Sequence, residues 1–459
     1  MPMVEINEII FRAYDIRGVY NKDISPRVFN RIGYATGCYI RRNLKGEDIA
    51  IGNDIRKSSV PLTYAFISGV TSAGVNVEYL GTTSFGETLL NSWKANVDLI
   101  SYITASHLSA EWNGVKFYYN DGVGLPEKEL YKIRDYTLKQ VYKPVGLEKI
   151  GSIRYVDNIR ENYETFFKNK FSFNRKLRVA VDCGGGSTSL SIPHVFPNLG
   201  LDLKHVFCKP DPMFSSRSAD PKPEHLGELI KTVREEKCDF GVAFDGDGDR
   251  SVIVDDKGRV LSSDTTGIII GKYGLNRKGM VIANIECSKT VYEELIPLGF
   301  KIKQIPVGHT FLTIHAKKEK ALLGIESSGH IIIPEYFLFD DAIIVPLKIA
   351  EILDKREATL SSLKDEIPVY PMKKEEIPCS DLLKFKVVEQ LNREVSEEYD
   401  NVENLDGVRI NLSEGWVLIR PSNTSPLIRL TVEANTEKDV DKLLKMFKRK
   451  VEEIIRKMG

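Results

Sequence analysis

"AFDGDGDRSVIV", residues Ala243 to Val254, sets three carboxylates at alternate positions with glycine between them and an arginine directly after. The apolar runs on either side, GVAF and SVIV, read as two strands. The acidic residues therefore occupy a strand–loop–strand turn whose glycines let the backbone close tightly around a bound group. Carboxylates this close repel one another unless something holds them. Asp245, Asp247 and Asp249 as monodentate ligands suit a hard cation such as Mg²⁺ that keeps places open for a phosphate oxygen. With a divalent ion the loop keeps a single negative charge, which Arg250 cancels. An EF-hand also begins D-x-D-x-D, but its sixth position must be glycine and its flanks are helices, whereas here that position is Arg250 and the flanks are strand-like. The alternative is a solvated acidic turn, which three carboxylates in so short a stretch argue against.

Outward from this loop, strand-like and helical stretches alternate. Before it come LRVAVD, a Gly-rich turn, a long helical region and CDFGVAF. The same rhythm runs from Asp48 (IAIG, a helix through SVPLTYAFISGVTSAG, VNVEYL, DLISYIT) and again after Val260 (MVIANI, TVYEELIPLGF, IKQIPV, FLTIHAKKEKA, LLGIE). This is the mark of βαβ units. The tail differs: after the Pro-containing link IPVYPMKKEEIP come VRINL, GWVLIRP and LIRLTVEA, then one amphipathic helix. That helix follows Thr436 and Asp439, a possible capping box, and sets Val440, Leu443, Leu444, Phe447, Val451, Ile454 and Ile455 on one face. The expected fold is α/β, with three similar mixed α/β domains at 1–150, 151–256 and 257–369 and a smaller C-terminal α+β domain at 370–459.

The 459 residues, 42% hydrophobic and 28% charged, are those of an ordinary soluble protein of several domains. Lys+Arg and Asp+Glu balance at 64 each, so no basic field draws nucleic acid or an anionic membrane, and a charged ligand must be recognised locally. Six dispersed cysteines without a C-x-x-C pair argue against a zinc site and against a disulfide framework. Free thiols, the absence of a secretory leader and the lack of any membrane-length apolar run predict a cytoplasmic protein.

Three further stretches carry chemistry. In ITASHLSAEWNGVKF, Ile103 to Phe117, Ser106 and His107 follow a buried strand. Asn113-Gly114 reads as a turn bringing the chain back toward Lys116, so a hydroxyl projects among basic groups. In IRPSNTSPLIRL, Arg420, Ser422, Asn423, Thr424 and Arg429 crowd one turn, as in a phosphate grip. In GIESSGHI, Glu326 and Ser328 suit vicinal sugar hydroxyls. Each of these, taken alone, also reads as a polar turn, and for a lone Ser-His pair in a loop that is the usual case.

Taken in order, the loops T-A-S-H, D-G-D-G-D-R, E-x-S-G-H and R-x-S-N-T, preceded by FRAYDIRG at Phe11 to Gly18, resemble the α-D-phosphohexomutase family, in particular its phosphomannomutase/phosphoglucomutase branch. The resemblance spans nearly the whole chain. It implies a heart-shaped enzyme with one loop from each domain lining a central cleft. It also implies reversible phosphoryl transfer between C1 and C6 of hexose phosphates, through phospho-Ser106 and a glucose or mannose 1,6-bisphosphate that serves as intermediate and activator. In that scheme Mg²⁺ sits on Asp245, Asp247, Asp249 and a phosphoryl oxygen of Ser106. His107, Lys116 and Arg250 attend the transfer, Tyr14, Arg17, His309, Glu326, Ser328 and His330 meet the sugar, and Arg420, Ser422, Asn423, Thr424 and Arg429 hold the idle phosphate. The implied partners are small sugar phosphates, with the chain a monomer or homodimer.

This chain departs from the family pattern at several points. Leu108-Ser109 stands where the family has Asn-Pro, Ile325 where it has glycine, and Glu286 where the dual-specificity branch has lysine. Glucose and mannose phosphates are the expected substrates, with glucosamine or pentose phosphates the alternative. A strand ending in D-x-D-G also admits a Mg²⁺-dependent phosphatase with Asp245 as nucleophile, although that motif wants threonine where Asp249 stands. A non-catalytic sugar-phosphate sensor is the binding-module alternative. The turn DCGGGSTS fits neither G-x-G-x-x-G nor a P-loop and reads as a tight strand-to-helix connection.

Overall fold

Three sheets in succession end on the same device: a parallel strand whose exit loop turns straight back into an antiparallel neighbour. The computed structural model describes residues 5–93, 95–139, 143–422 and 426–458. The first sheet holds β1 (Asp15–Val19), β2 (Asp48–Asn53), β3 (Asn76–Thr82), β4 (Leu99–Ile103), β5 (Trp112–Tyr118) and β6 (Ile153–Tyr155) in the order β1-β5-β4-β2-β3-β6. The second holds β7 (Arg178–Asp182), β8 (Asp202–Val206), β9 (Phe240–Phe244) and β10 (Ser251–Asp255) in the order β10-β9-β7-β8. The third holds β11 (Met280–Asn284), β12 (Lys301–Ile305), β13 (Leu323–Ile325) and β14 (Ile331–Ile332) in the order β12-β11-β13-β14. The pairs β4–β5, β9–β10 and β13–β14 are antiparallel, while β2–β4, β7–β9 and β11–β13 are parallel. The Ser-His loop, the aspartate loop and the Glu326 loop are therefore the same turn in three units, each at the carboxyl end of a parallel strand, where open α/β sheets place ligands.

The strands that carry these loops read as unbroken apolar runs because helices cover both faces of their sheets; every residue of β4 and β9 is buried. One core cluster joins the three units through Tyr102, Phe244, Ile325 and Phe337. Backbone bonds fix the loops to one another: Phe85 N–H donates to Asp247 O at 3.1 Å and Ala342 N–H to Gly248 O at 3.1 Å. Gly246 approaches Ser106 so closely that a Cβ there would lie 2.4 Å from the Ser106 carbonyl oxygen.

The C-terminal unit is antiparallel, with β15 (Met372–Pro378), β16 (Val402–Glu403), β17 (Val408–Asn411), β18 (Gly415–Pro421) and β19 (Leu427–Ala434) in the order β15-β19-β18-β17-β16. It has its own core and meets the third unit through a small apolar patch of Ile285, Trp416 and Leu418. The predicted final helix spans Glu437–Met458, and Thr436 Oγ1 accepts from Asp439 N at 3.2 Å. Among the described residues no helix is long and apolar enough to cross a membrane.

Four local expectations give way. The link IPVYPMKKEEIP contains β15, an edge strand whose charged side chains face water and conceal any alternation. The tail carries a second helix, Lys384–Glu398, which buries Val387, Val388, Leu391 and Val395 beneath a heavily charged surface. Asn113-Gly114 is not a turn but part of β5; Gly114 is needed because a Cβ there would lie 2.1 Å from the Ile16 carbonyl oxygen of β1. The chain reverses earlier, where Leu108 N–H donates to Ala105 O and Trp112 N–H to Ser109 O. Finally, β6 lies beyond residue 150 yet pairs with β3 of the first sheet, anchored by Ser152 N–H to Asn76 Oδ1 at 3.0 Å.

Candidate active site

Ser106 is fully buried and holds a left-handed backbone conformation, φ 51°, that costs a non-glycine residue energy and persists only under external constraint. The constraint is Arg56. Its guanidinium, 1% exposed, donates from Nη2 to the carbonyls of Ser106 (2.7 Å) and Leu108 (2.6 Å) and from Nη1 to those of Ser109 (2.6 Å) and Trp112 (3.2 Å). Its Nε pairs with Asp54 Oδ2 at 2.9 Å, and Thr104 Oγ1 donates to that same carboxylate oxygen while accepting from Ser106 N at 2.9 Å. The loop that lacks the family's Asn-Pro is thus held from behind by a buried arginine. The sequence signal was the Asp54-x-Arg56 pair at the end of buried β2, which sequence reasoning passed over.

The hydroxyl of Ser106 donates to Asp245 Oδ2 at 2.8 Å and lies 3.2 Å from His107 Nδ1. Asp245, Asp247 and Asp249 converge with it, each fully buried or nearly so, their ligand atoms within 4.8 Å of one another. Asp247 Oδ1 and Asp249 Oδ1 are buried and have no hydrogen-bond partner among the described residues. Asp245 also accepts from Gly248 N–H and Arg250 N–H, so the tight turn wraps one of its own carboxylates. Lys116, reaching in from β5 across the ring of Phe85, pairs with Asp247 at 2.9 Å and also with Asp249. Burial, then the neighbouring aspartates, push Asp245 well above the usual carboxylate range; burial raises Asp249 too, but Lys116, His330, Arg250 and His309 together outweigh it and hold that carboxyl well below the range. A buried acidic cluster with orphaned oxygens and a cation bridging two of its members fits a hard divalent ion of the Mg²⁺ class.

Above this floor lies a cavity of about 230 Å³ lined by residues from all four units. Tyr14, Arg17, His107, Arg250, His309, Glu326, Ser328, His330, Arg420, Ser422 and Arg429 all reach it, as do Arg12, Asp15 and Glu286. Ser106, Lys116 and the aspartates lie beneath it; Asn423 and Thr424 fall outside the described residues. Glu326 is fixed from both sides, accepting from Gly308 N–H at 2.9 Å and from Ser328 Oγ at 2.6 Å. Tyr14 hydrogen-bonds Val307 O at 2.8 Å and sets its ring edge against His309. Arg250 Nε donates to His330 Nε2 at 2.9 Å, and His330 Nδ1 lies 2.7 Å from the buried Asp340, a partner not anticipated from sequence. Ile325 is turned away into the core against Gly267, so that departure leaves the cavity wall unchanged.

On the wall that the C-terminal unit gives to the cavity, Arg420 and Arg429 stand directly across from each other on β18 and β19. Like charges in such a pair destabilise the sheet unless an anion lies between them. The Nε atoms of both are buried without a hydrogen-bond partner among the described residues, and burial, then Arg420, lower the Arg429 pKa. Two facing guanidiniums with unpartnered Nε donors suit an anion such as a phosphate. Nearby, Glu286 accepts from Ser327 Oγ at 3.0 Å and Thr431 Oγ1 at 2.8 Å and pairs with Lys374 at 3.3 Å. Burial raises its pKa, but Lys374, Arg420 and the hydrogen bonds from Thr431 and Ser327 together outweigh that and hold it at about 2, so it is ionised.

Comparison with known proteins agrees along the whole chain. Residues 8–143, 153–258 and 262–370 match phosphoglucomutase/phosphomannomutase alpha/beta/alpha domains I, II and III, and residues 379–450 match the C-terminal domain of that family. A protein of Methanopyrus kandleri named "Probable phosphoglucosamine mutase" is 31% identical over 97% of this chain and 99% of its own. One of the same name from Thermococcus gammatolerans is 32% identical over 97% and 99%. Among solved structures, a phosphoglucomutase/phosphomannomutase family protein of Burkholderia thailandensis superposes with a TM-score of 0.89 at 25% identity, covering 98% of each chain.

Proposed function

From the premise that the chain belongs to the phosphoglucomutase/phosphomannomutase family of α-D-phosphohexomutases, we propose that it moves a phosphoryl group between C1 and C6 of a hexose phosphate through Ser106. One observation carries this reading. A strained, buried serine hydroxyl, an acidic cluster and a pair of facing arginines lie around one cavity, so a sugar phosphate can present its hydroxyl to the serine end while its phosphate rests at the arginine end.

In the phosphorylated enzyme the Oγ–P bond of Ser106 breaks as the sugar hydroxyl oxygen bonds to phosphorus; the sugar hydroxyl gives up its proton and Oγ regains one. His107 Nδ1, beside Oγ and held neutral by burial and then by Arg250 and Arg17, is placed to exchange that proton. Lys116, within the same cluster, and Arg250, locked by His330, bring fixed positive charge to the transferring group. Asp245, Asp247 and Asp249 would hold a divalent ion, which would supply neutralising charge for the phosphoryl oxygens. The resulting 1,6-bisphosphate re-enters reversed, and its other phosphate returns to Ser106.

The same arginines then serve both half-reactions. Arg420→Ala should raise the KM for the 1-phosphate and for the 6-phosphate alike, by about tenfold or more, the scale of one or two charge-assisted hydrogen bonds. Steady-state rates in both directions check this; an effect confined to one substrate contradicts the shared grip.

Glucosamine phosphate is the sugar we assign, ahead of the glucose and mannose phosphates expected from sequence. The names of the relatives that match nearly the whole chain support it. So does Glu286, an ionised carboxylate on the cavity wall where the resemblance would place lysine, since a carboxylate at that position suits the ammonium group of an amino sugar. Glucose and mannose remain the second reading, because Glu326 and Ser328 present one carboxylate and one hydroxyl suited to the C3 and C4 hydroxyls that all three sugars share. Specificity constants for glucosamine, glucose, mannose and pentose 1-phosphates decide between them. An advantage for glucosamine 1-phosphate of about tenfold or more is expected; equal or better use of glucose or mannose 1-phosphate overturns the assignment.

A further inference from the structure

Behind the aspartate loop, the parallel neighbours β7 and β8 run out into loops that carry Cys183 and Cys208 within two residues of the strand ends, and their Sγ atoms lie 3.1 Å apart. Cys183 is buried, whereas Cys208 is only half-buried. Cys183 also opens the turn that supports the aspartate loop. Gly185 N–H donates to Phe207 O at 2.7 Å, Ser187 N–H donates to Gly246 O at 2.9 Å, and a Cβ on Gly186 would lie 2.8 Å from that same carbonyl oxygen. We propose that Cys183 and Cys208 form an oxidation site that reacts with a peroxide and closes to a disulfide, displacing the turn beneath Asp245 and Asp247.

The two thiols divide the chemistry. A hydrogen bond from Cys183, opposed by burial and assisted by His205, lowers the Cys208 thiol below the ordinary cysteine range, so Cys208 is the member of the pair that ionises more readily. Burial keeps Cys183 protonated. The Cys208 thiolate attacks one peroxide oxygen, the O–O bond breaks, and the leaving hydroxide is protonated to water, leaving a sulfenic acid. Cys183 then attacks the Cys208 sulfur; its thiol proton departs with the sulfenic oxygen as a second water. The thiols lose two electrons and the peroxide gains them. Closing the bond draws the sulfurs from 3.1 Å to about 2.05 Å. A displacement of that size in a supporting turn can cost about 10²-fold in turnover.

The test uses the full reduced chain, a graded dose of hydrogen peroxide, alkylation of remaining thiols and peptide mapping by mass spectrometry. A Cys183–Cys208 cross-linked peptide should form before Cys38, Cys238, Cys287 or Cys379 is modified. Cys183→Ser should leave Cys208 as a sulfenic acid that dimedone traps, and Cys208→Ser should leave Cys183 unmodified. Mutase turnover, the one readout that rests on the proposed function, should fall by about tenfold or more on oxidation. It should recover with dithiothreitol, and Cys208→Ser should resist the same dose. Absence of the cross-link, or a cross-linked chain with full turnover, overturns the proposal. A reduced chain without turnover counts instead against the mutase reading, and the cross-link map then decides the oxidation site alone.

Discussion

Ser106→Ala is expected to lower turnover by at least about three orders of magnitude, the scale on which loss of a covalent nucleophile is felt. Ser109→Ala, three residues along the same loop, should leave most of it. The contrast follows from geometry. Ser106 Oγ meets Asp245 at 2.8 Å in the buried floor of the cavity, whereas Ser109 Oγ is exposed and bonds to Glu111 at its own turn. Removing Oγ deletes a small polar group while the backbone of the loop keeps its Arg56 and Thr104 bonds, so the variant should fold with an unchanged unfolding midpoint. Rates for the two variants, measured with the bisphosphate present, separate a nucleophile from a surface hydroxyl; full activity in Ser106→Ala contradicts the assignment.

Arg56→Met should be the most damaging change outside the cavity. It strands the buried Asp54 carboxylate and leaves the carbonyls of Ser106, Leu108, Ser109 and Trp112 without their donor. Breaking a buried pair by removing one partner costs about 3–5 kcal/mol, and the φ of Ser106 then has less to hold it. Turnover should fall about a hundredfold or more, since a misplacement of about 1 Å in a reacting group suffices for that. Arg56→Lys keeps the charge but not the fork, so it should retain more stability than Arg56→Met and recover little of the turnover. A calorimetric scan alongside kcat and KM checks both halves. Normal turnover in Arg56→Met would show that the loop is held without it.

Much of this was legible in the chain. The strand–loop–strand reading of Ala243–Val254 was correct because GVAF and SVIV are apolar on both sides of a loop that only glycine permits, and the structure has that hairpin as β9 and β10. The fourfold α/β, α/β, α/β, α+β organisation followed from the same alternation. What the sequence hid were residues whose work depends on distant partners. Arg56 acts across about fifty positions on the loop it pins, and Asp340 touches His330 only because the chain after β14 returns to the cleft. Asn113-Gly114 misled because the dipeptide usually marks a turn, whereas here asparagine bonds Ser58 and Ser59 and glycine admits the β1 backbone. The helix at Lys384–Glu398 and the edge strand β15 were masked by charge, since a surface element buries too little to print a clear period.

The central claim is that the phosphoryl group passes through Ser106. Its most direct test is incubation of the Mg²⁺-loaded chain with a hexosamine or hexose 1,6-bisphosphate carrying a phosphorus label, followed by peptide mapping. The account predicts acid-stable label on the peptide containing Ser106, and its loss on addition of unlabelled sugar monophosphate; an alkali-labile acyl phosphate on Asp245, or label on neither residue, would contradict it.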